Sequence, residues 1–225
     1  MYLKQDTMGK TKNIKIPIFA IDFEGSSKLG IVEYGIVEIF NGAIVSAKTA
    51  ICSPKEAISK REAEFFDISN SEAQKHPPFA EVMPMFCECR KRGIFMAHNA
   101  VVEDSFLRAE SPSAGIVPDF LRGGNVNTWA VWLDTCVLMR NIFPNAESVK
   151  LSECIKLLKL QSRLDAEAEK YCPPDRRKWH CALYDAIASA LILIAITELD
   201  GFADVNIEWL ARYSGFKDAG QMFLF

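Results

Sequence analysis

Ile16-Pro17-Ile18-Phe19-Ala20-Ile21-Asp22-Phe23-Glu24-Gly25 is the stretch on which the reading of this chain turns. The apolar run from Ile16 to Asp22 reads as a buried strand, and Gly25-Ser26-Ser27 brings turn chemistry to its end. A strand repeats every two residues, so Asp22 and Glu24 share a face. Two carboxylates so close in a partly buried place repel each other unless a divalent cation neutralises them. Oxygen ligands with positions left for water suit magnesium or manganese. Taken alone the pair also has a plainer reading, in which Glu24 merely opens a solvated turn.

Outward from this strand, the apolar runs Ile31 to Phe40 and Ala43 to Ile51 flank Asn41-Gly42. Both turn residues tolerate positive φ, so the three runs read as an antiparallel meander. Residues 53–92 are helix-compatible around a break at His76-Pro77-Pro78, and Gly93 to Ala97 reads as another buried strand. A short helix over 102–110, a strand over 130–134 and a helix over 148–160 capped by Ser148 or Ser152 follow. The long helix spans Cys181 to Leu199, and Ile207 to Ala211 forms one more. Residues 111–128 hold Pro112, Gly115, Pro118 and Gly123-Gly124 and are long for a plain connection, which points to a lid or a flexible insertion.

A chain of 225 residues, 49% apolar, can bury one substantial core. The formal charge of −3 gives no general basic signal for nucleic-acid binding, so any such affinity is local. Arg90-Lys91-Arg92 and Arg176-Arg177-Lys178 are basic clusters whose simplest reading is solvated surface charge. Seven cysteines without a C-x-x-C pair argue against a disulfide framework and a structural zinc site, and favour a reducing, cytoplasmic setting. The apolar stretch Ala186 to Ile196 is too short to span a bilayer, so no membrane partner is expected.

Two further segments carry chemistry. Ala97-His98-Asn99-Ala100-Val101-Val102-Glu103-Asp104-Ser105-Phe106-Leu107 passes from a strand end into a helix bearing two acids, which helix capping would also explain. His98 can equally be a satisfied core histidine. In His180-Cys181-Ala182-Leu183-Tyr184-Asp185-Ala186 an aspartate sits within an apolar helix and needs a partner. Five positions on one helix are about 140° apart, so His180 belongs at or before the helix start, where Cys172-Pro173-Pro174-Asp175 suggests a movable loop. A base on such a loop, beside a metal-binding acid, is laid out to activate a water.

In this order the three segments resemble the DEDDh family of 3′-to-5′ exonucleases, the DnaQ-like group that includes polymerase proofreading subunits, RNase T and the TREX nucleases. Ile31-Val32-Glu33-Tyr34-Gly35-Ile36-Val37 is similar to the family's second strand, and Leu133-Asp134-Thr135 before Lys150-Leu151 to its later segment. The resemblance implies an α/β, RNase H-like fold with a central mixed five-stranded sheet flanked by helices. It implies that Asp22, Glu24, Asp104 and Asp185 hold two Mg²⁺ or Mn²⁺ ions and that His180 is the general base. It further implies that Gly25, Ser26, His98 and Asn99 contact the substrate. An imidazole can take a proton from water at physiological pH, and two ions can align that water and stabilise the leaving oxygen.

The second motif departs from the family pattern, since its usual aromatic-Asp is here Val102-Glu103-Asp104. Asp104 follows Asn99 by five, as in TREX-like members, and Glu103 follows by four, as in RNase T and the proofreading subunits. The shorter side chain matches the family's ligand, so Asp104 is preferred, with Glu103 filling the neighbouring position near the helix N-terminus.

The expected organisation is a tail over 1–13, an exonuclease domain over 14–200 and a helical extension over 201–225. The partner is nucleic acid with a free 3′ end, single-stranded by preference, with Phe23, Phe106, Trp129 and Trp179 as candidate stacking residues. The sequence is compatible with a homodimer. Its alternatives are a non-catalytic nucleic-acid-binding module on the same fold, disfavoured because all five chemical positions are filled, and an RNase H-like endonuclease.

Overall fold

The structure, a computed structural model, describes residues 14–202 and 204–216. The expected tail over 1–13 and the apolar end 222–225 lie outside the described residues.

Strands β1 (Ile18–Ser26), β2 (Gly30–Phe40) and β3 (Ala43–Ile51) form the antiparallel meander, closed between β2 and β3 by Asn41 and Gly42 at φ 51° and 75°. β1 does not stop before Gly25. It runs on to Ser26, paired with Gly30, with a register shift between Glu24 and Gly25, so the acids lie inside a strand rather than at its mouth.

Helices α1 (Lys60–Phe66), α2 (Asn70–Ala73) and α3 (Met83–Arg92) lead to β4 (Ile94–Ala97), which lies parallel to β1. After α4 (Val101–Glu110), strands β5 (Ile116–Pro118) and β6 (Asn125–Asn127) pair as a small separate hairpin. The 111–128 segment therefore has a structure of its own, with Val117 buried. Strand β7 (Trp132–Asp134) joins β4 in parallel and completes a mixed sheet of order β3-β2-β1-β4-β7.

Helix α5 (Thr135–Ile142) precedes α6 (Leu151–Leu157), which is shorter than the expected 148–160. No side chain caps its start at Lys150, and Lys159 at φ 56° breaks it, after which Leu160 packs into the core from the connection. Helix α7 (Gln161–Tyr171) was not foreseen, because its charged sequence buries only Leu164 and Ala168. Helix α8 (Ala182–Glu198) is buried from Ala182 to Thr197, as befits a helix apolar all round, and α9 (Ile207–Tyr213) packs on α5 and β7. Among the described residues no helix is long and apolar enough to cross a membrane.

Alternation along β1 divides the core. Ile18 and Ala20, with Val37 and Ile39, face α8, while Phe19, Ile21 and Phe23 face Phe86, Phe95 and Trp129. The basic clusters are not wholly solvated: Arg90 and Arg176 are buried. Arg90 donates to the carbonyls of Trp129 (3.2 Å), Pro118 (3.1 Å) and Ala130 (2.5 Å). A guanidinium offers five N–H donors, and here they join the end of β5 to the irregular connection at Trp129 and Ala130.

Candidate active site

Asp22 and Glu24 continue the line of Ile18 and Ala20, so they face α8. Their register partners on β2 are Gly35 and Glu33. A Cβ on Gly35 would lie 2.3 Å from the carbonyl oxygen of Ala182. Its absence lets the first turn of α8 lie against the sheet beside Asp22, and that turn carries Asp185. Gly25 serves the hairpin in the same way, since a Cβ there would stand 2.1 Å from the Gly30 carbonyl oxygen.

His180 lies just before α8, as its spacing from Asp185 required, at φ 62° and exposed. Its backbone N–H donates to Asp185 Oδ2 at 3.2 Å, and its ring centroid is 4.6 Å from that of Phe65. One oxygen each of Glu24 and Asp185 and one ring nitrogen of His180 lie within 4.8 Å of one another.

The acids of α4 separate. Glu103 is buried, with Oε2 lacking a hydrogen-bond partner, and its charge acts on both Asp22 and Glu24. Asp104, the preferred ligand from sequence, is turned elsewhere: Trp132 Nε1 donates to its Oδ1 at 2.9 Å, and Arg108 Nε to its Oδ2 at 2.6 Å. Adjacent helical residues point about 100° apart, so one of the two faces the acids and the other cannot. Asp134 fixes that rotation. Its carboxylate accepts from the N–H groups of Asn99 and Ala100 (both 3.0 Å) before α4, and of Cys136 (2.8 Å) and Val137 (3.2 Å) at the start of α5.

Of the expected substrate contacts, His98 is taken up by the scaffold. His98 Nδ1 lies 2.9 Å from Thr135 Oγ1 and Nε2 2.7 Å from the Val149 carbonyl, and burial pushes its pKa down. A neutral ring donating from Nε2 and accepting at Nδ1 satisfies both partners. Asn99 is exposed at φ 76°. Ser26 Oγ accepts from the Leu29 N–H at 3.2 Å, stiffening the hairpin. Phe23 and Trp129 are core residues, and Phe106 and Trp179 lean on Phe23 and Tyr184. The exposed aromatic beside the acids is Phe65, which the sequence reading passed over.

Burial is the largest influence on all four acids. It raises Asp22 well above the usual carboxylate range, helped by Asp185, Glu103 and Glu24. Glu24 and Glu103 are pushed up to about 8 and Asp185 to about 7. Asp185 Oδ1 and Glu103 Oε2 are buried and unpartnered, and the oxygens of Glu24 and Asp185 lie close enough together to share a divalent cation, which prefers such hard donors.

Comparison with known proteins identifies the family. Residues 20–193 match the family described as exonuclease, of the RNase T type. The PolC-type DNA polymerase III of Caldanaerobacter subterraneus subsp. tengcongensis is 27% identical over 183 residues, 80% of this chain and 11% of that one. The 3′-5′ exonuclease DinG of Bacillus subtilis is 28% identical over 144 residues, 62% and 14% of the two chains. This chain thus spans about a tenth to a seventh of the length of these relatives. Among solved structures, exonuclease X in complex with 5′ overhanging duplex DNA superposes with a TM-score of 0.61 at 24% identity, over 88% of this chain and 99% of that one. The chain belongs to the exonuclease family of the RNase T type and shares the RNase H-like fold of its structural neighbours.

Proposed function

We propose that this protein removes nucleotides one at a time from the 3′ end of nucleic acid, using Asp22, Glu24, Glu103 and Asp185 as metal ligands and His180 as general base. The observation that carries the proposal is the gathering of a Glu24 oxygen, an Asp185 oxygen and a His180 ring nitrogen within 4.8 Å, with Asp22 on the same face of β1 as Glu24 and the buried Glu103 close enough for its charge to act on both. Glu103 takes the place that the sequence favoured for Asp104. Members of this family depend on divalent metal, and the unpartnered oxygens of Asp185 and Glu103 fit such an ion.

Two Mg²⁺ or Mn²⁺ ions bound there would supply a more acidic attacking water and charge neutralisation at the leaving oxygen. The chain's own contribution is geometric and protonic. His180 accepts the proton of the water whose oxygen attacks the terminal phosphorus. The P–O3′ bond breaks, the 3′ oxygen takes up a proton from solvent, and a nucleoside 5′-monophosphate departs. Magnesium's preference for oxygen leaves the imidazole to act as base rather than ligand. Phe65 offers an exposed apolar ring beside His180, suited to a splayed terminal base. The relatives' names include both DNA-acting and RNA-acting enzymes, and the shared phosphate and 3′ hydroxyl make either a substrate here. All seven cysteines are free thiols, which suits a reducing, cytoplasmic setting.

The test is digestion of labelled single- and double-stranded DNA and RNA with Mg²⁺, with Mn²⁺ and with chelator. Mononucleotide release that needs the metal supports the proposal. Binding without cleavage under every condition would support a non-catalytic module instead.

A further inference from the structure

Glu33 faces Glu24 directly across the β1–β2 ladder, on the same side of the sheet as the catalytic acids, yet it has its own cation. Arg176 is 7% exposed and Glu33 2%. The two are joined bidentately, Nη2 to Oε2 at 2.6 Å and Nε to Oε1 at 3.1 Å. The same Oε2 accepts the N–H of Ala182 at 3.0 Å. One carboxylate on β2 therefore grips the chain on both sides of His180, four residues before it and two after.

The other edge of the guanidinium reaches α1. Arg176 Nη1 donates to the carbonyls of Phe66 and Asp67, both at 3.0 Å, next to Phe65, whose ring rests on His180. Lys178 adds a bridge to Asp67 at 2.5 Å. His180 sits at φ 62°, in the left-handed region that is uncommon for a non-glycine residue, although histidine enters it more readily than most. Its backbone is held by its own N–H to Asp185 Oδ2 at 3.2 Å and, on either side, by the bonds of Arg176 and Ala182 to Glu33. A buried ion pair contributes little net stability, since apolar side chains of similar volume often do as well. What the planar fork adds is direction.

We infer that Arg176, seated on Glu33, is the positioning residue that sets His180, and the Phe65 surface it rests on, against the catalytic acids. This rests on the reading of His180 as general base.

A double-mutant cycle tests it. Arg176→Lys keeps the charge but cannot serve Glu33 and two carbonyls together, and Glu33→Gln keeps size and one acceptor while losing the ionic grip. Each is measured alone and on a His180→Ala background, with circular dichroism and melting as fold controls. Each single variant is expected to lower kcat about tenfold or more with KM within about twofold, and to change kcat less than about twofold once His180 is gone. An equal fall on both backgrounds would overturn the inference by showing support of the acids or the fold rather than of His180. So would unchanged kcat, or a rise confined to KM. If Arg176→Lys does not fold, Glu33→Gln decides by the same criteria. Wild-type turnover in His180→Ala alone would instead overturn the reading of the base, a separate result.

Discussion

Glu103 and Asp104 are neighbours on α4 with opposite surroundings: Glu103 is buried with the acids of β1, and Asp104 is bonded to Trp132 and Arg108. Glu103→Gln is therefore expected to lower cleavage by roughly 10²-fold or more, because the amide keeps the shape but loses the charge a divalent ion needs. Asp104→Asn should stay within a few-fold of wild type. Steady-state rates on one oligonucleotide decide, and the reverse pattern would return the ligand role to Asp104.

His180→Ala should cut turnover about 10²-fold or more while metal binding and the melting temperature change little, since it removes a base from an exposed position. Calorimetric titration of Mn²⁺ alongside the kinetics separates the two effects. A comparable loss of metal affinity would make the imidazole a ligand.

The acids predict an unusual dependence of stability on pH. Folded Glu24 and Glu103 hold their protons up to about pH 8 and Asp185 to about 7, whereas unfolded carboxylates release theirs near pH 4. Between these limits the folded chain binds more protons, so stability falls as pH rises through the window. Melting of chelator-treated protein should drop from pH 5.5 to 8.5, and added Mg²⁺ should raise it most at the alkaline end. A flat or rising profile in chelator would mean that the acids do not crowd in solution.

Gly35→Ala tests the seat of α8. A methyl group 2.3 Å from the Ala182 carbonyl forces the helix off the sheet, so the variant should lose at least about 1–3 kcal/mol of stability, together with activity. Unaltered melting would show that α8 sits less tightly against β2.

Much of this was legible in the sequence, for identifiable reasons. Period two placed Asp22 and Glu24 on one face, Asn41-Gly42 announced the hairpin, and five-residue spacing put His180 outside the helix of Asp185. The register of α4 was hidden because side-chain length pointed to Asp104, while the rotation of the helix depends on Asp134, distant in sequence, gathering four N–H groups. Arg90 and Arg176 looked like surface charge because their partners are backbone carbonyls and a single glutamate far along the chain. The signal for the latter was present: Glu33 interrupts the apolar run from Ile31 to Phe40, and a buried acid needs a cation.

The most direct test of the central claim is a time course with Mg²⁺ on a 5′-labelled single strand, set beside the same sequence closed into a circle. The account predicts a ladder that shortens from the 3′ end by single nucleotides, an intact circle, no cleavage in chelator, and cleavage slowed by roughly 10²-fold or more in Glu103→Gln. Cleavage of the circle, internal fragments, or undiminished activity in chelator would contradict it.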